Sequence, residues 1–369
     1  MKIYYNDNVV QAALKRTRFI YERFGNKTFV SFSGGKDSTT CLELAHIVAE
    51  EMGLLPVNVM WLDQEAEWDM TVEYAKYVFN LPWVRPYWVQ TPFILDCSLN
   101  GFDGGLHCWQ DNSIRERDQI SIHDIEGSEK LVFGEMLDKI GKTFFPDGCA
   151  LYGMRCEESP SRQRALTNVK EFVGPEVWGA FGGGNRRAAV IYDWSVSDVW
   201  KFINERSLKY NKLYDYQYMY GVSVQNMRVS ALIHETALKA LDYAQEFESE
   251  MWNKLAARIE GINTYRHCHE AYQCPAALPE MFKNWREYRD FLLNKLISDD
   301  WHYKIMKKRF DSDDKRSALL PDNIAIEIYK AHVKVVLKDD YCLTTLKNIK
   351  SAGLNNYLRV LKEKTGGIL

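Results

Sequence analysis

The chain has 369 residues, of which 46% are hydrophobic and 13% aromatic, so it is long enough for one large or two moderate globular domains. Its formal net charge of −3 predicts no general attraction to nucleic acid or to anionic membranes. The sequence has no run of about 18 apolar residues and no apolar signal core at its start, and its eight cysteines are scattered. We therefore expect a cytoplasmic protein with reduced thiols and no membrane association.

The first predicted elements are a helix, a strand and a second helix. Residues between 9 and 21 place apolar and small side chains on one helical face. Residues 29–32 then form a short aromatic and β-branched run, which predicts a buried strand. Apolar residues between 41 and 49 recur at helical spacing, so a helix is expected soon after the strand.

The turn between that strand and helix predicts an anion site. It consists of Ser33, Gly34, Gly35, Lys36, Asp37 and Ser38. Glycines let backbone N–H groups approach a phosphate, and the helix N-terminus adds partial positive charge. Ser33 and Ser38 supply hydroxyl donors and Lys36 supplies a cation, whereas Asp37 is expected either to cap the helix or to hold Mg²⁺. An ordinary tight turn is the alternative.

This turn is not the common P-loop. That motif requires a glycine four residues before Gly-Lys-Ser/Thr, whereas here the glycines are adjacent and Asp follows Lys. The block SGGKDS resembles the pyrophosphatase loop of the ATP α-hydrolase (PP-loop) superfamily. Members of that superfamily split ATP or related adenylates between the α and β phosphates.

A second hydrophobic run, residues 57–63, predicts another strand, and a helix is expected from about Trp68 to Phe79. Asp63 and Glu65 follow this strand, at the edge where open α/β sheets bind ligands. Either carboxylate could hold a ribose hydroxyl or a metal, and helix capping by Asp63 is the alternative. Residues 86–89 predict a third strand.

Residues 97–129 are rich in Gly, Asp, Asn and His and lack convincing periodicity. A loop of this length inside a compact domain is usually functional or mobile. A lid over the substrate and a plain surface insertion are both compatible with the pattern.

A second chemical block follows a strand predicted at residues 150–152. Its members are Gly153, Arg155, Glu158, Ser159 and Arg162. Arg155 and Arg162 lie seven residues apart across the turn, so both could reach one phosphate or sulfate, which a guanidinium grips bidentately. Surface ion pairs are the alternative for these arginines.

A third block begins with a strand predicted at residues 190–192, followed by Asp193 as a candidate site residue. Ser195 and Asp198 have the spacing of a capping box and predict a helix start. The tyrosine-rich stretch at residues 210–222 is expected to pack in the core or at an interface.

The blocks SGGKDS, GMRCEESPSR and IYDW–DVW together resemble the phosphoadenosine phosphosulfate (PAPS) reductase branch of the PP-loop superfamily. That branch includes PAPS reductase, the small subunit of ATP sulfurylase and the DNA phosphorothioation ATPase. Within this branch, the chain resembles more closely the PAPS reductase-like group named after immunoglobulin-binding regulator A. That group shares FVSFSGGKDS, an LDQEAEW-like segment, YDW, YNxLYDxxYxxGV and a KDDYC stretch near the end.

The resemblance implies an α/β fold with a mostly parallel sheet and flanking helices, adenine nucleotide α-hydrolase-like, in residues 1–229. A largely helical domain is expected in residues 230–369. The nucleotide, ATP or PAPS, would bind at residues 33–38 with Mg²⁺ on Asp37. Lys36, Arg155 and Arg162 would be catalytic, and the remaining binding candidates are Asp63, Glu65, Gly153, Glu158, Ser159 and Asp193.

Three functions are compatible with the resemblance. The leading one is an ATP pyrophosphatase-type transferase that moves AMP to an acceptor and releases pyrophosphate. The second is sulfonucleotide chemistry on PAPS, as in sulfur metabolism. The reductase's Glu-Cys-Gly-Leu-His block is absent, so reduction itself is not expected. The third is a nucleotide-sensing regulator without turnover, for which the resemblance implies a ParB-like DNA-binding partner.

The remainder of the chain is expected to be helical, at residues 232–247 and 251–259. The group His267, Cys268, His269 and Cys274 contains residue types that zinc accepts. Its spacing is not that of a standard finger, so a loop is expected rather than a zinc site. From residue 301 onward, fourteen Lys/Arg stand against eight Asp/Glu. This basic part would contact nucleic acid or an acidic partner, or form a solvated helical face.

Overall fold

The structure is a computed structural model that describes residues 6–95, 106–111, 113–167, 179–182, 185–233, 240–259, 262, 274–318 and 320–337, with positions 340, 343 and 346. The chain divides into two compact units. The first lies within Met1–Asp96 and Leu106–Arg258, and the second contains the described residues from Ile259 onward. The boundary predicted between residues 229 and 230 lies inside the first unit.

The first unit is built on a six-stranded sheet in which five neighbouring strands are parallel. The strands are β1 (Thr28–Ser31), β2 (Val57–Leu62), β3 (Val84–Val89), β6 (Cys149–Leu151), β7 (Gly179–Gly182) and β8 (Asn185–Ala188). Their order is β3-β2-β1-β6-β8-β7, with β7 antiparallel at one edge. A separate antiparallel pair joins β4 (Phe93–Leu95) to β5 (Leu106–Cys108). The predicted α/β fold with a mostly parallel sheet is confirmed.

The helices of the first unit are α1 (Val9–Phe24), α2 (Lys36–Glu51), α3 (Asp69–Phe79), α4 (Phe133–Phe144), α5 (Pro160–Thr167), α6 (Val196–Glu205), α7 (Leu213–Met219), α8 (Leu241–Phe247) and α9 (Ser249–Arg258). Every residue of β2 is buried, as expected for a parallel strand covered on both faces. Trp61 on β2 stacks on Trp88 of β3 with ring centroids 5.3 Å apart. The core therefore lies between the sheet and the helices packed on it.

The sheet order creates a topological switch point beside β1. From β1 the chain proceeds to β2 and β3 on one side, and β6 later pairs with β1 on the other side. The connections that follow β1 and β6 therefore lead toward opposite edges of the sheet. In open α/β sheets, ligands bind outside the carboxyl ends of the strands at such a point.

Most predicted elements of this unit are present, but the strand predicted at residues 190–192 is wrong. Those residues form turns, in which the Tyr192 N–H donates to Ala189 O at 3.1 Å and the Trp194 N–H donates to Ile191 O at 3.0 Å. The strand is β8, which ends at Ala188. Complete burial of Val190 gives this turn the apolar character of a strand. The segment predicted to lack periodic structure also contributes β5.

The second unit is helical in the part described, as predicted. Its helices are α10 (Trp285–Leu296), α11 (Asp300–Ser317) and α12 (Asp322–Leu337). Met306, Phe310 and Val333 are completely buried in its core. On α11, Arg309 pairs with Asp313 at 2.9 Å, four residues away, and Lys307 pairs with Asp311 in the same way. These basic residues thus belong to a charged helical face, and nucleic-acid contact stays a prediction.

His267, Cys268 and His269 lie outside the described residues. Among the residues that are described, no group of three or more His, Cys, Asp or Glu side chains could hold a metal ion. No helix in the described part of the chain is long and apolar enough to cross a membrane.

Candidate anion-binding site

The turn after β1 presents backbone N–H groups that meet no acceptor among the residues that the structure describes. Gly34 has φ of +68°, a left-handed conformation that glycine adopts without strain. Gly35 is the N-cap of α2, and no side chain in the described part of the structure caps this helix. Within the described part of the chain, the N–H groups of Gly34, Gly35, Asp37 and Ser38 contact no acceptor. Such a group of donors at a helix N-terminus suits an anion.

The turn is held in shape by its own hydroxyl groups. Ser38 Oγ donates to Gly35 O at 3.0 Å and accepts from the Ser33 N–H at 3.2 Å. The Ser38 hydroxyl hydrogen is therefore committed to the turn. Ser33 is exposed, and its Oγ lies 3.1 Å from Ser38 Oγ. Of the two predicted hydroxyl donors, only Ser33 faces solvent.

Two residues distant in sequence also support the turn. The buried hydroxyl of Tyr214 accepts from the Lys36 N–H at 3.1 Å. Asn211 Nδ2 donates to Thr71 Oγ1 at 2.8 Å and to Gly34 O at 3.3 Å. A Cβ added at Gly34 would lie 2.7 Å from Thr71 Cγ2, so this position has no room for a larger residue. The sequence did not predict these contacts.

Asp37 forms ion pairs with two buried cations. Its Oδ2 lies 3.1 Å from Lys36 Nζ, and its Oδ1 accepts from Arg155 Nε at 2.7 Å. Lys36 is 7% exposed and Arg155 is 4% exposed. Burial lowers the pKa of Lys36; the adjacent Asp37 opposes this, whereas Arg155 and Arg228 add to the lowering.

Neither predicted role of Asp37 fits these contacts. Its carboxylate does not cap α2, because the helix has no side-chain cap. Both of its oxygens face a cation, so the charges of Lys36 and Arg155 would repel a Mg²⁺ ion bound beside them. The described residues therefore do not fit a protein-held Mg²⁺ site.

The predicted residues of the second block do come together beside the turn. Arg155 contacts Glu157 at 3.0 Å and Glu158 at 3.8 Å in addition to Asp37. Arg162 pairs with Glu158 and leaves 38% of its side chain exposed. Arg162 is therefore accessible to an anion, whereas Arg155 is surrounded by carboxylates. This differs from the prediction that both guanidinium groups grip one ligand.

Gly153 and Ser159 shape this block. A Cβ added at Gly153 would lie 2.7 Å from the Asp37 carbonyl carbon, so only glycine lets the chain after β6 approach α2 this closely. Ser159 Oγ accepts from the Arg162 N–H at 3.2 Å, at the start of α5. Both residues act on the local backbone.

Asp63 is engaged by other parts of the protein. This carboxylate is completely buried and accepts from Trp88 Nε1 at 3.0 Å, Gln90 Nε2 at 2.9 Å and a guanidinium nitrogen of Arg115 at 2.8 Å. It does not cap α3, whose N-cap is Trp68. The structure thus gives Asp63 a bracing role in place of the predicted ribose, metal or capping role.

Glu65 is likewise engaged. It accepts from the Ile114 N–H at 2.7 Å, and it also contacts the Trp109 N–H and the Arg258 guanidinium. Glu65 is completely buried. These bonds tie the segment around residues 106–115 to the end of β2. The buried contacts disfavour the predicted ligand role and explain how the segment after β5 is held.

Asp193 is also paired within the protein. Its two carboxylate oxygens each accept from Arg16 on α1 at 2.8 Å. The Arg16 guanidinium is buried and also donates to Val190 O at 3.0 Å. The structure therefore places Asp193 in a contact between α1 and the turn after β8, and not with the N–H donors of the first turn.

The site includes a segment that the sequence did not identify, residues 227–229. The side chain of Val229 lies against the turn, because a Cβ added at Gly35 would be 3.3 Å from Val229 Cγ2 and from Tyr214 Oη. The next residue toward the N-terminus, Arg228, is exposed. Burial lowers the pKa of Arg162, and the positive charge of Arg228 lowers it further. No spacing in the sequence indicates this arrangement, since almost 200 residues separate Arg228 from the turn.

Comparison with protein families gives two adjoining matches. The family profile of the phosphoadenosine phosphosulfate reductase domain matches residues 27–220. A profile described as a domain of unknown function, DUF3440, matches residues 221–361. The chain is also 27% identical over 308 residues to uncharacterized protein YbdN of Escherichia coli (strain K12), covering 78% of this chain and 75% of that protein.

Solved structures with a similar arrangement include nucleotide enzymes. Candida glabrata FMN adenylyltransferase aligns with 14% identity and a TM-score of 0.37, over 58% of this chain and 62% of that enzyme. Candida auris PAPS reductase, in a phosphate complex, aligns with 13% identity and a TM-score of 0.32, over 58% of this chain and 93% of that enzyme. The match thus spans less than two thirds of the adenylyltransferase. At these TM-scores the alignments assign no residue role.

Proposed function

Because the chain belongs to the phosphoadenosine phosphosulfate reductase domain family, we propose that its first unit is an adenine-nucleotide enzyme of the PP-loop type. It would cleave the bond between the α and β phosphates of ATP, transfer AMP to an acceptor and release pyrophosphate. The observation that carries this proposal is the group of N–H donors at Gly34, Gly35, Asp37 and Ser38, which have no acceptor within the described ranges. These donors follow β1, at the switch point of the sheet.

In this proposal, the acceptor's nucleophile attacks the α-phosphorus, and the bond from that phosphorus to the bridging oxygen breaks. The bonding electrons remain on the departing pyrophosphate. The N–H donors of the turn, with Lys36 and Arg162, face the charge that grows on this group. Preorganised donors and cations at such a position lower the barrier because they need not reorganise during the reaction.

Arg155 is assigned a positioning role. Its guanidinium orients Asp37, which in turn holds the Lys36 ammonium beside the turn. Arg155 is too enclosed by Asp37 and Glu157 to offer a free two-donor face to a ligand. Its replacement would disturb the site through the positions of Lys36 and α2.

We do not expect the protein to reduce PAPS. Such a reaction needs a reachable thiolate. Among the cysteines that the structure describes, Cys41, Cys108 and Cys149 are buried. The half-buried Cys156 has its pKa raised by burial and by the charge of Asp193. These four cysteines are therefore poor candidates for a thiolate nucleophile.

The test is pyrophosphate release from ATP by the purified full chain, with cell extract as the source of acceptor. Wild type should release pyrophosphate, and Arg162→Ala should lower the rate by about 10²-fold while changing ATP affinity much less. Arg162→Lys should recover only part of the rate, because a point charge does not reproduce a planar fork. Lys254→Ala removes an exposed cation on α9 and serves as the matched control.

Two outcomes would change the assignment. A wild type that binds ATP but releases no pyrophosphate with any extract would favour a nucleotide-sensing regulator, for which a ParB-like partner stays a prediction. Equal turnover by wild type and Arg162→Ala would remove Arg162 from the reacting site.

A further inference from the structure

The cations around the turn differ in how they are neutralised. Lys36 and Arg155 share Asp37, and Arg162 pairs with Glu158. Arg228 forms no ion pair with any residue in the described part of the chain, although its charge acts on two other cations of the site, Lys36 and Arg162. Positive charges that are held close together repel one another, and an anion bound among them offsets this repulsion.

The backbone at Arg228 is fixed, so its position is built into the fold. Its flanking residues, Met227 and Val229, are 3% and 7% exposed. Its carbonyl accepts from Nε2 of the buried Gln217 at 2.7 Å, and the same nitrogen lies 3.1 Å from Tyr243 Oη. Val229 packs against the Gly35 side of the turn.

The cations of the site differ in how far they are exposed to solvent. Lys36 is buried next to the N–H donors, and Arg162 is partly exposed. Arg228 is exposed and directly precedes Val229, whose side chain lies against the turn. Its positive charge lowers the pKa of both Lys36 and Arg162.

Resting on the proposed function, we propose that Arg228 binds the anionic group attached beyond the α-phosphate of the nucleotide. Arg228 is then a specificity-determining residue, which makes the site prefer adenine nucleotides with an extended anionic tail over AMP. The residue comes from the segment matched by the second family profile, so that segment contributes directly to the nucleotide site. A triphosphate and a phosphosulfate share this tail chemistry.

The experiment measures the affinities of the full chain for ATP, PAPS and AMP by calorimetry at one fixed salt concentration. Arg228→Ala should weaken binding of the tailed nucleotide about tenfold and change AMP affinity by less than about twofold, as expected for one lost hydrogen-bonded charge contact. Arg228→Lys should lose less than Arg228→Ala. Lys254→Ala, which removes a charge from the exposed face of α9, should bind all three ligands like wild type.

Comparing the three ligands distinguishes a failure of the Arg228 proposal from a failure of the proposed function. If wild type prefers ATP or PAPS over AMP and Arg228→Ala keeps the same preference, the role of Arg228 is refuted while the nucleotide site stands. An equal loss of AMP and tailed-nucleotide affinity would also refute it. If wild type binds none of the three, the proposed function is refuted and the role of Arg228 with it. The arm that shows the larger loss, ATP or PAPS, identifies the tail.

Discussion

Gly153→Ala should deform the candidate site through direct contact with α2. The added methyl would lie 2.7 Å from the Asp37 carbonyl carbon and 2.9 Å from both the Asp37 carbonyl oxygen and Cβ. An ordinary contact begins near 3.4 Å. Backbone atoms must therefore move by roughly half an ångström or more. Overpacking of this kind typically costs about 1–3 kcal/mol.

The displaced group belongs to the first turn of α2, so stability and ligand binding should fall together. For a domain of this size, each kcal/mol lowers the thermal midpoint by about 2–4 °C. We therefore expect a decrease of about 2–12 °C, measured by calorimetric melting, together with weaker ATP binding because the N–H donors are displaced.

Gly134→Ala is the matched control, because a Cβ at Gly134 on α4 meets nothing within 4 Å. Alanine is favoured over glycine in a helix by roughly 0.5–1 kcal/mol, so this variant should be as stable as wild type or slightly more stable. Equal melting temperatures and equal ATP affinities for Gly153→Ala and wild type would refute the close approach of the two segments.

Three further predictions follow from particular contacts. Tyr214→Phe leaves the Lys36 N–H without its acceptor, so urea unfolding should show a loss of about 1–3 kcal/mol, and an unchanged value would contradict the contact. Burial raises the pKa of Glu248 to about 7 from an ordinary value of 4.5. The native state then holds a proton that the unfolded state loses, so the stability of wild type relative to Glu248→Gln should fall as pH rises from 4.5 to 7. A difference that is constant over this range would show that Glu248 keeps its ordinary pKa. Sulfite release from PAPS with thioredoxin should be undetectable, and sulfite production lost on replacing one cysteine would restore the reductase function.

The parts of the fold that the sequence predicts well are those set by local pattern. The strand, the glycine turn and the helix at residues 28–51 are contiguous, and each carries its own periodicity or turn chemistry. The strand predicted at residues 190–192 failed because a buried turn and a buried strand contain the same apolar residue types. The length of the run does not distinguish them.

The roles of the acidic residues were not predictable, because their partners are distant in sequence. Arg115 lies 52 residues from Asp63, and Arg258 lies 193 residues from Glu65. A carboxylate at the end of a parallel strand therefore looks the same in sequence whether it binds a ligand or braces a neighbouring segment. Arg228 illustrates the converse, since only the folded chain places it beside the turn.

The most direct test of the central claim, adenine-nucleotide binding at the turn after β1, compares ATP binding by wild type and Gly35→Val. A Cβ at Gly35 would lie 3.3 Å from Tyr214 Oη and Val229 Cγ2, so these neighbours must yield by a few tenths of an ångström for the Cβ and further for the two methyl groups of valine. The fold should persist, while the branched side chain blocks the approach of phosphate to the N–H donors.

Gly134→Val, the same change at an open and exposed position, is the control for this measurement. Calorimetric titration should show ATP binding by wild type and Gly134→Val, and none by a Gly35→Val protein that melts cooperatively. Equal ATP affinity in wild type and Gly35→Val would contradict the assignment of this turn as the nucleotide site.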